Sequence, residues 1–226
     1  MEDQFARTNT LLGPEAMRAL ASAKVAVFGL GGVGGICAEA LARTGVGSID
    51  LIDHDTVSIT NLNRQVIALH STLGQFKADV MAARLKDINP GIEVRAVKLF
   101  YTPDTSGEVD LKRYDYVVDA IDTVAGKIEL IAQSKKAGTA IICAMGAANK
   151  TDPLALVVTD IHKTDTDPLA KAVRKEARAR NIEGVKVVWS KEEPRIRCRP
   201  PASDAVVPQA LGLLLASEII KDLTNK

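Results

Sequence analysis

The chain is poor in cysteine and in aromatics, with three Cys, one Trp, three Tyr and four Phe in 226 residues. Cys37, Cys143 and Cys198 are too few and too scattered for a disulfide framework, and no C-x-x-C pair is present to hold zinc. A reducing, cytoplasmic setting is expected. No apolar run approaches the roughly 18 residues that suggest a membrane span, and Met1 to Arg7 is polar, unlike a secretory signal. The expectation is a soluble protein without a membrane span. Internal repeats and low-complexity tracts are also lacking. Neither sign of charge dominates, the formal net charge being +1, but the distribution is uneven. Lys163 to Arg199 holds 11 Lys and Arg against 6 Asp and Glu, a locally basic stretch that could attract a polyanion. A cluster such as Arg174, Lys175, Arg178 and Arg180 is more often a solvated helix face.

What is present is 46% hydrophobic residues, enough for one substantial core. Strand signals at Lys24 to Phe28, Ser48 to Ile52, Glu93 to Leu99, Tyr116 to Asp119 and Thr139 to Ala144 alternate with helical patterns at Val33 to Thr44, Lys77 to Ile88 and Val124 to Gly138. This alternation predicts an α/β, Rossmann-like, mainly parallel sheet with helices on both faces. Beyond Gly146 the order is less regular: strand Leu154 to Thr159, helix Pro168 to Arg180, strand Val185 to Ser190, a proline-rich loop Glu192 to Pro208, and a closing helix Gln209 to Asp222. The expectation is a single domain, with residues 1–146 as a nucleotide-binding core and 147–226 as an irregular, substrate-facing C-terminal extension.

Gly29-Leu30-Gly31-Gly32-Val33-Gly34 stands between a predicted strand and a predicted helix. Glycines there let the turn form and let backbone approach a phosphate, with helix-start N–H groups pointing at the anion. Asp53 ends the next strand, placed to accept hydrogen bonds from a ribose. A nicotinamide-dependent reductase would share both features. The segment Asn61-Leu62-Asn63-Arg64-Gln65 and then Lys77 at a helix start deliver two cations after the second strand, which suits a triphosphate whose pyrophosphate must leave. Asp122, just past the fourth strand, could bind magnesium on the ligand side of the sheet, or could cap the helix that follows.

Together G-x-G-G-x-G, the strand-end Asp53, N-x-N-R-Q, Lys77 and Asp119-Ala120-Ile121-Asp122 resemble the ThiF/HesA/MoeB superfamily of ubiquitin-activating-enzyme-like adenylating proteins, over about Phe5 to Leu223. The resemblance implies ATP as co-substrate, Asp53 on the ribose, Arg64 and Lys77 on the phosphates, and Asp122 on magnesium. It also implies a nucleotide-binding set completed by Gly29, Gly31, Gly32, Gly34, Asp55, Asn61, Asn63, Gln65 and Asp119. Arg7 resembles an arginine supplied across a homodimer. Thr159-Asp160-Ile161-His162-Lys163-Thr164, Asp167-Pro168-Leu169, Val187-Val188-Trp189-Ser190 and Glu192-Glu193-Pro194 look like the tRNA threonylcarbamoyladenosine dehydratase family. That implies tRNA as substrate, adenylation of a carboxylate and ring closure, and leaves open a monovalent cation and a sulfur-transfer partner. Two other readings stand: activation of a sulfur-carrier protein's C-terminus, and a nucleotide-binding module without catalysis. Cys37 and Cys143 read as core residues, while Cys198, flanked by arginines, is the one thiol whose ionisation its neighbours favour. Trp189 reads as a strand residue, with stacking on a base as the alternative.

Overall fold

The computed structural model describes residues 3–194, 196, 198 and 200–224. Seven strands form one sheet: β1 (Lys24–Phe28), β2 (Ser48–Ile52), β3 (Glu93–Val97), β4 (Tyr116–Asp119), β5 (Ala140–Ala144), β6 (Leu156–Asp160) and β7 (Lys186–Ser190). Their order is β3-β2-β1-β4-β5-β7-β6, with every pair parallel except β6 against β7. The chain reverses its direction of travel across the sheet between β1 and β4, which opens a crevice at the carboxyl ends of those two strands.

Helices cover both faces, so the central strands are apolar on both sides. Val25 and Val27 of β1 pack with α3 (Gly34–Thr44), α4 (Lys77–Ile88) and α7 (Val206–Thr224), while Ala26 and Phe28 pack with α5 (Val124–Ala137) and α6 (Pro168–Ala179). On α4 the buried Ala78, Met81 and Leu85 recur at helical spacing. Gly138, at φ +73°, closes α5 in the left-handed conformation that the sequence calls for.

Residues after Gly146 are more regular than expected, since β6 and β7 extend the same sheet and α7 packs along α3. Gly212 allows that packing: a Cβ there would lie 2.3 Å from the Val33 carbonyl oxygen. The closing helix begins at Val206 rather than Gln209. Pro208 is tolerated in its first turn, where N–H groups lack helical acceptors, and Asp204 accepts from the Val206 N–H at 2.9 Å. Two short helices were not anticipated, α1 (Ala6–Leu12) and α2 (Pro14–Ser22). They run before the first strand, and at 7 and 9 residues they are too short for an apolar periodicity to stand out. β3 ends at Val97 rather than Leu99, because the Leu99 N–H turns back to the Val97 carbonyl.

Candidate nucleotide site

The glycine loop joins β1 to α3 at the edge of the crevice. Gly29 takes φ +86°, and a Cβ there would lie 2.5 Å from the Ala120 carbonyl oxygen in the turn after β4. At Gly34 a Cβ would meet the Gly29 carbonyl oxygen at 1.8 Å. The two glycines thus let the loop fold onto itself and onto the neighbouring turn. Among the described residues, the N–H groups of Gly31, Gly32 and Val33 have no intramolecular acceptor, and they precede the positive end of α3. This is the arrangement that receives phosphate oxygens.

Asp53 lies under the loop, 8% exposed. Its Oδ2 accepts from the Leu30 N–H at 2.6 Å and its Oδ1 from the Asp55 N–H at 2.8 Å, so the carboxylate is fixed by backbone donors on both sides. A carboxylate can accept about four hydrogen bonds, which leaves capacity for the hydroxyls of a ribose. Lys77, only 6% exposed, stands at the first position of α4 and reaches Asp55 Oδ2 at 2.8 Å. A buried ammonium at a helix N-terminus is opposed both by desolvation and by the helix dipole, so the position suits a second anion beyond Asp55. Burial tends to raise the Asp55 pKa, but the hydrogen bond and charge of Lys77, with His54, hold it below the usual carboxylate value. Asp53, His54 and Asp55 present ligand atoms within 4.8 Å of one another, a set that could also hold a cation.

The N-x-N-R-Q turn closes over the loop from the other side. A Cβ on Gly32 would lie 3.4 Å from Arg64 Cγ and 3.2 Å from Pro208 Cβ, so loop, turn and the start of α7 converge at Gly32. The Arg64 guanidinium donates to the Thr60 carbonyl and to Asn63 Oδ1, both at 2.9 Å. Asn61 accepts from the Ser58 N–H at 3.1 Å and shapes the turn. Asn63 donates to the Ser203 carbonyl at 2.8 Å, and Gln209 donates to the Arg64 carbonyl at 3.3 Å. Gln65 is buried beside Gly31, its Oε1 without a partner among the described residues. The clamp supplied by Ser203, Pro208 and Gln209 was missed in the sequence, where 192–208 read as loop and Gln209 as the start of the closing helix.

Past β4 the two aspartates separate. Asp122 is exposed and has no protein partner among the described residues; the N-cap of α5 is Thr123, so the capping alternative for Asp122 does not hold. Asp119 faces inward at 0% exposed and pairs with Lys127, also 0% exposed, at 3.0 Å. Its Oδ1 also accepts from the Ile121 N–H at 3.1 Å. Asp119 therefore shapes the turn that carries Asp122 from beneath, rather than facing the crevice as expected. Lys127 was not singled out in the sequence, although a lysine directly before Ile128, on a helix whose Leu130 and Ile131 are apolar, is a usable signal.

Other expected residues are scattered. Arg7 is exposed on α1, whose neighbours Gln4 and Phe5 touch Asn89 and Gly45 at the far ends of α4 and α3. Within one chain it is remote from the glycine loop. Burial pushes the thiols of Cys37 and Cys143 well up, confirming both as core residues. Cys198 Sγ lies 3.3 Å from Asn149 Oδ1, while its flanking Arg197 and Arg199, like Arg195, fall outside the described residues. Trp189 is 3% exposed, which rules out base stacking in this conformation. Of the basic cluster on and just after α6, Arg174 is tied to the Thr164 carbonyl at 2.6 Å and Arg180 approaches Glu129 at 3.4 Å, while Lys175 and Arg178 are exposed.

The ThiF family model matches residues 5–226. The chain belongs to the ThiF family. Within it, this ThiF protein is 45% identical to the tRNA threonylcarbamoyladenosine dehydratase of Bacillus subtilis, over 99% of this chain and 95% of that one. It is 42% identical to the Escherichia coli enzyme of the same name, over 94% of this chain and 78% of that one. The crystal structures of E. coli TcdA with AMP and with ATP superpose with TM-scores of 0.93 and 0.91 at 37% identity, each covering 98% of this chain and 94% of the other. These likenesses place the chain in the dehydratase branch of the ThiF family. No helix among the described residues is long and apolar enough to cross a membrane.

Proposed function

We propose that this ThiF protein is an ATP-dependent dehydratase that adenylates the carboxylate of threonylcarbamoyladenosine in tRNA. The observation that carries the reading is the buried Lys77 ammonium, joined through Asp55 and Asp53 to the glycine loop, whose N–H groups are unpaired among the described residues. That constellation favours a polyphosphate over a dinucleotide, and the dehydratase relatives supply the substrate class. The substrate carboxylate attacks the α-phosphorus of ATP, a P–O bond forms, and the bond to the β-phosphate oxygen breaks with release of pyrophosphate. A nucleophile of the same modified nucleoside then attacks the acyl carbon, AMP leaves, and the ring closes with net loss of one water. The reacting groups already share one molecule, so proximity replaces a covalent enzyme nucleophile. Asp53 orients the ribose, while Arg64 and Lys77 stabilise charge that grows on the departing phosphates. Asp122, exposed and unpartnered beside the loop, fits a magnesium ion, which when bound would neutralise phosphate charge.

A homodimer is the assembly that this reading supports. Helix α1 buries no residue, Leu11 on it is 81% exposed, and Arg7 can serve a nucleotide only in a second copy. The deciding assay is pyrophosphate release from ATP offered with modified tRNA, with tRNA lacking the threonylcarbamoyl group, or with a small carrier protein. Release confined to the modified tRNA supports the dehydratase. Release with the carrier alone, or none with any acceptor, overturns it.

A further inference from the structure

The nucleotide features lie on the β2, β1 and β4 side of the crevice, so an acyl substrate has to approach from the β5 side. There the register Asp119↔Cys143 sets the end of β5 beside the turn that carries Asp122. The chain leaving β5, residues 146–152, is fastened to the C-terminal part of the molecule at three points. Gly146 N–H donates to Asp167 Oδ2 at 2.7 Å, and a Cβ on Gly146 would lie 2.5 Å from Asp167 Oδ1, so a side chain there would displace the carboxylate. Asn149, at φ 62°, exchanges hydrogen bonds with Ala202: its N–H donates to the Ala202 carbonyl at 2.7 Å, and its Oδ1 accepts from the Ala202 N–H at 2.8 Å. The N–H groups of Thr151 and Asp152 donate to the Glu192 carboxylate at 2.9 and 2.8 Å.

Inside this loop is an ammonium that the nucleotide chemistry does not use. Lys150 is 3% exposed, and its Nζ donates to the Gly146 carbonyl at 2.9 Å, spanning the loop from within. We propose that Lys150 is a positioning residue for the acyl substrate: its ammonium fixes the Gly146 carbonyl and so sets the wall of the crevice against which the tRNA-borne carboxylate is aligned. The proposal rests on the dehydratase reading and deepens it on the substrate side. A buried charge is costly unless its donors are used, and a loop with a left-handed asparagine holds one shape only if it is over-determined. Burial lowers the Lys150 pKa, opposed by Asp167 and Glu192, the two carboxylates that face it. The ammonium is therefore lost at a lower pH than that of exposed lysines.

The test uses full-length Lys150→Met, which keeps the aliphatic stem and removes the donor, and Lys150→Gln, which keeps an N–H donor without charge. Initial rates are measured against modified tRNA and against ATP separately. The KM for tRNA should rise about tenfold or more in Lys150→Met, the scale of one lost charge-assisted hydrogen bond. The KM for ATP and the stabilisation by ATP should stay within about twofold of wild type, and Lys150→Gln should recover part of the loss. An unchanged KM for tRNA, or equal rises for both substrates, overturns the proposal. Should Lys150→Met not fold, wild type and Lys150→Gln are compared across alkaline pH. The KM for tRNA should climb in wild type before exposed lysines titrate and stay flat in the glutamine variant, and parallel profiles overturn the proposal. Wild type without any tRNA-dependent turnover removes the dehydratase reading itself, a distinct result.

Discussion

Replacing Lys127 by methionine is the most demanding test of how the Asp122 turn is held. Lys127 and Asp119 are both 0% exposed, with Nζ 3.0 Å from Oδ1 and 3.4 Å from the Asp119 carbonyl. Oδ2 of Asp119 has no hydrogen-bond partner among the described residues, so the ammonium is the chief compensation for a buried negative charge. Removing one partner of such a pair costs about 3–5 kcal/mol. For a chain of this size that lowers Tm by about 6–20 °C. Thermal melts of wild type, Lys127→Met, Asp119→Asn and the double variant at neutral pH should show a deficit in each single change, with the double variant less destabilised than the two single changes combined. A Lys127→Met melt within about 2 °C of wild type at neutral pH would refute the reasoning.

Three further outcomes are expected. Lys77→Ala should remain folded yet slow pyrophosphate release by roughly 100-fold or more, the scale for one lost electrostatic stabiliser, and near-wild-type turnover would return Lys77 to a structural role with Asp55. Gly29→Ala should lose ATP binding by calorimetry, since φ +86° and the Ala120 carbonyl at 2.5 Å both exclude a side chain; unaltered binding would mean that the loop has another shape. Glu39 accepts from Arg43 and Arg84 at 2.8 and 2.7 Å; although burial works the other way, these two cations hold its pKa below the usual value. Its contribution is therefore present above the unfolded pKa and lost as pH falls through the folded one, so Glu39→Gln should cost about 1–3 kcal/mol at neutral pH and nothing in strong acid, by urea unfolding.

The parallel core was legible because each strand is a short apolar run bounded by turn residues, and each helix carries its own stripe. Gly29 and Gly34 could be placed because their role is local: a turn between a strand and a helix. Asp119 was misassigned for the opposite reason. Its partner Lys127 lies a helical turn into α5, and which of Asp119 and Asp122 faces the crevice depends on how the turn between them is folded. The clamp from Ser203 to Gln209 was invisible because it acts through contacts between distant segments, such as Asn63 with Ser203, and Lys150 because its burial depends on the distant anchors that fold the 146–152 loop around it, such as Gly146 with Asp167. Arg7 was recognisable only by resemblance, and among the described residues no hydrogen bond or ion pair engages its guanidinium.

Mass spectrometry of tRNA nucleosides, after incubation with the protein, ATP and magnesium, bears most directly on the function proposed for the crevice. Threonylcarbamoyladenosine should be converted to a species lighter by one water, only with ATP present, and the conversion should be lost in Lys77→Ala. An unchanged nucleoside, with ATP bound and the protein folded, would contradict the dehydratase reading.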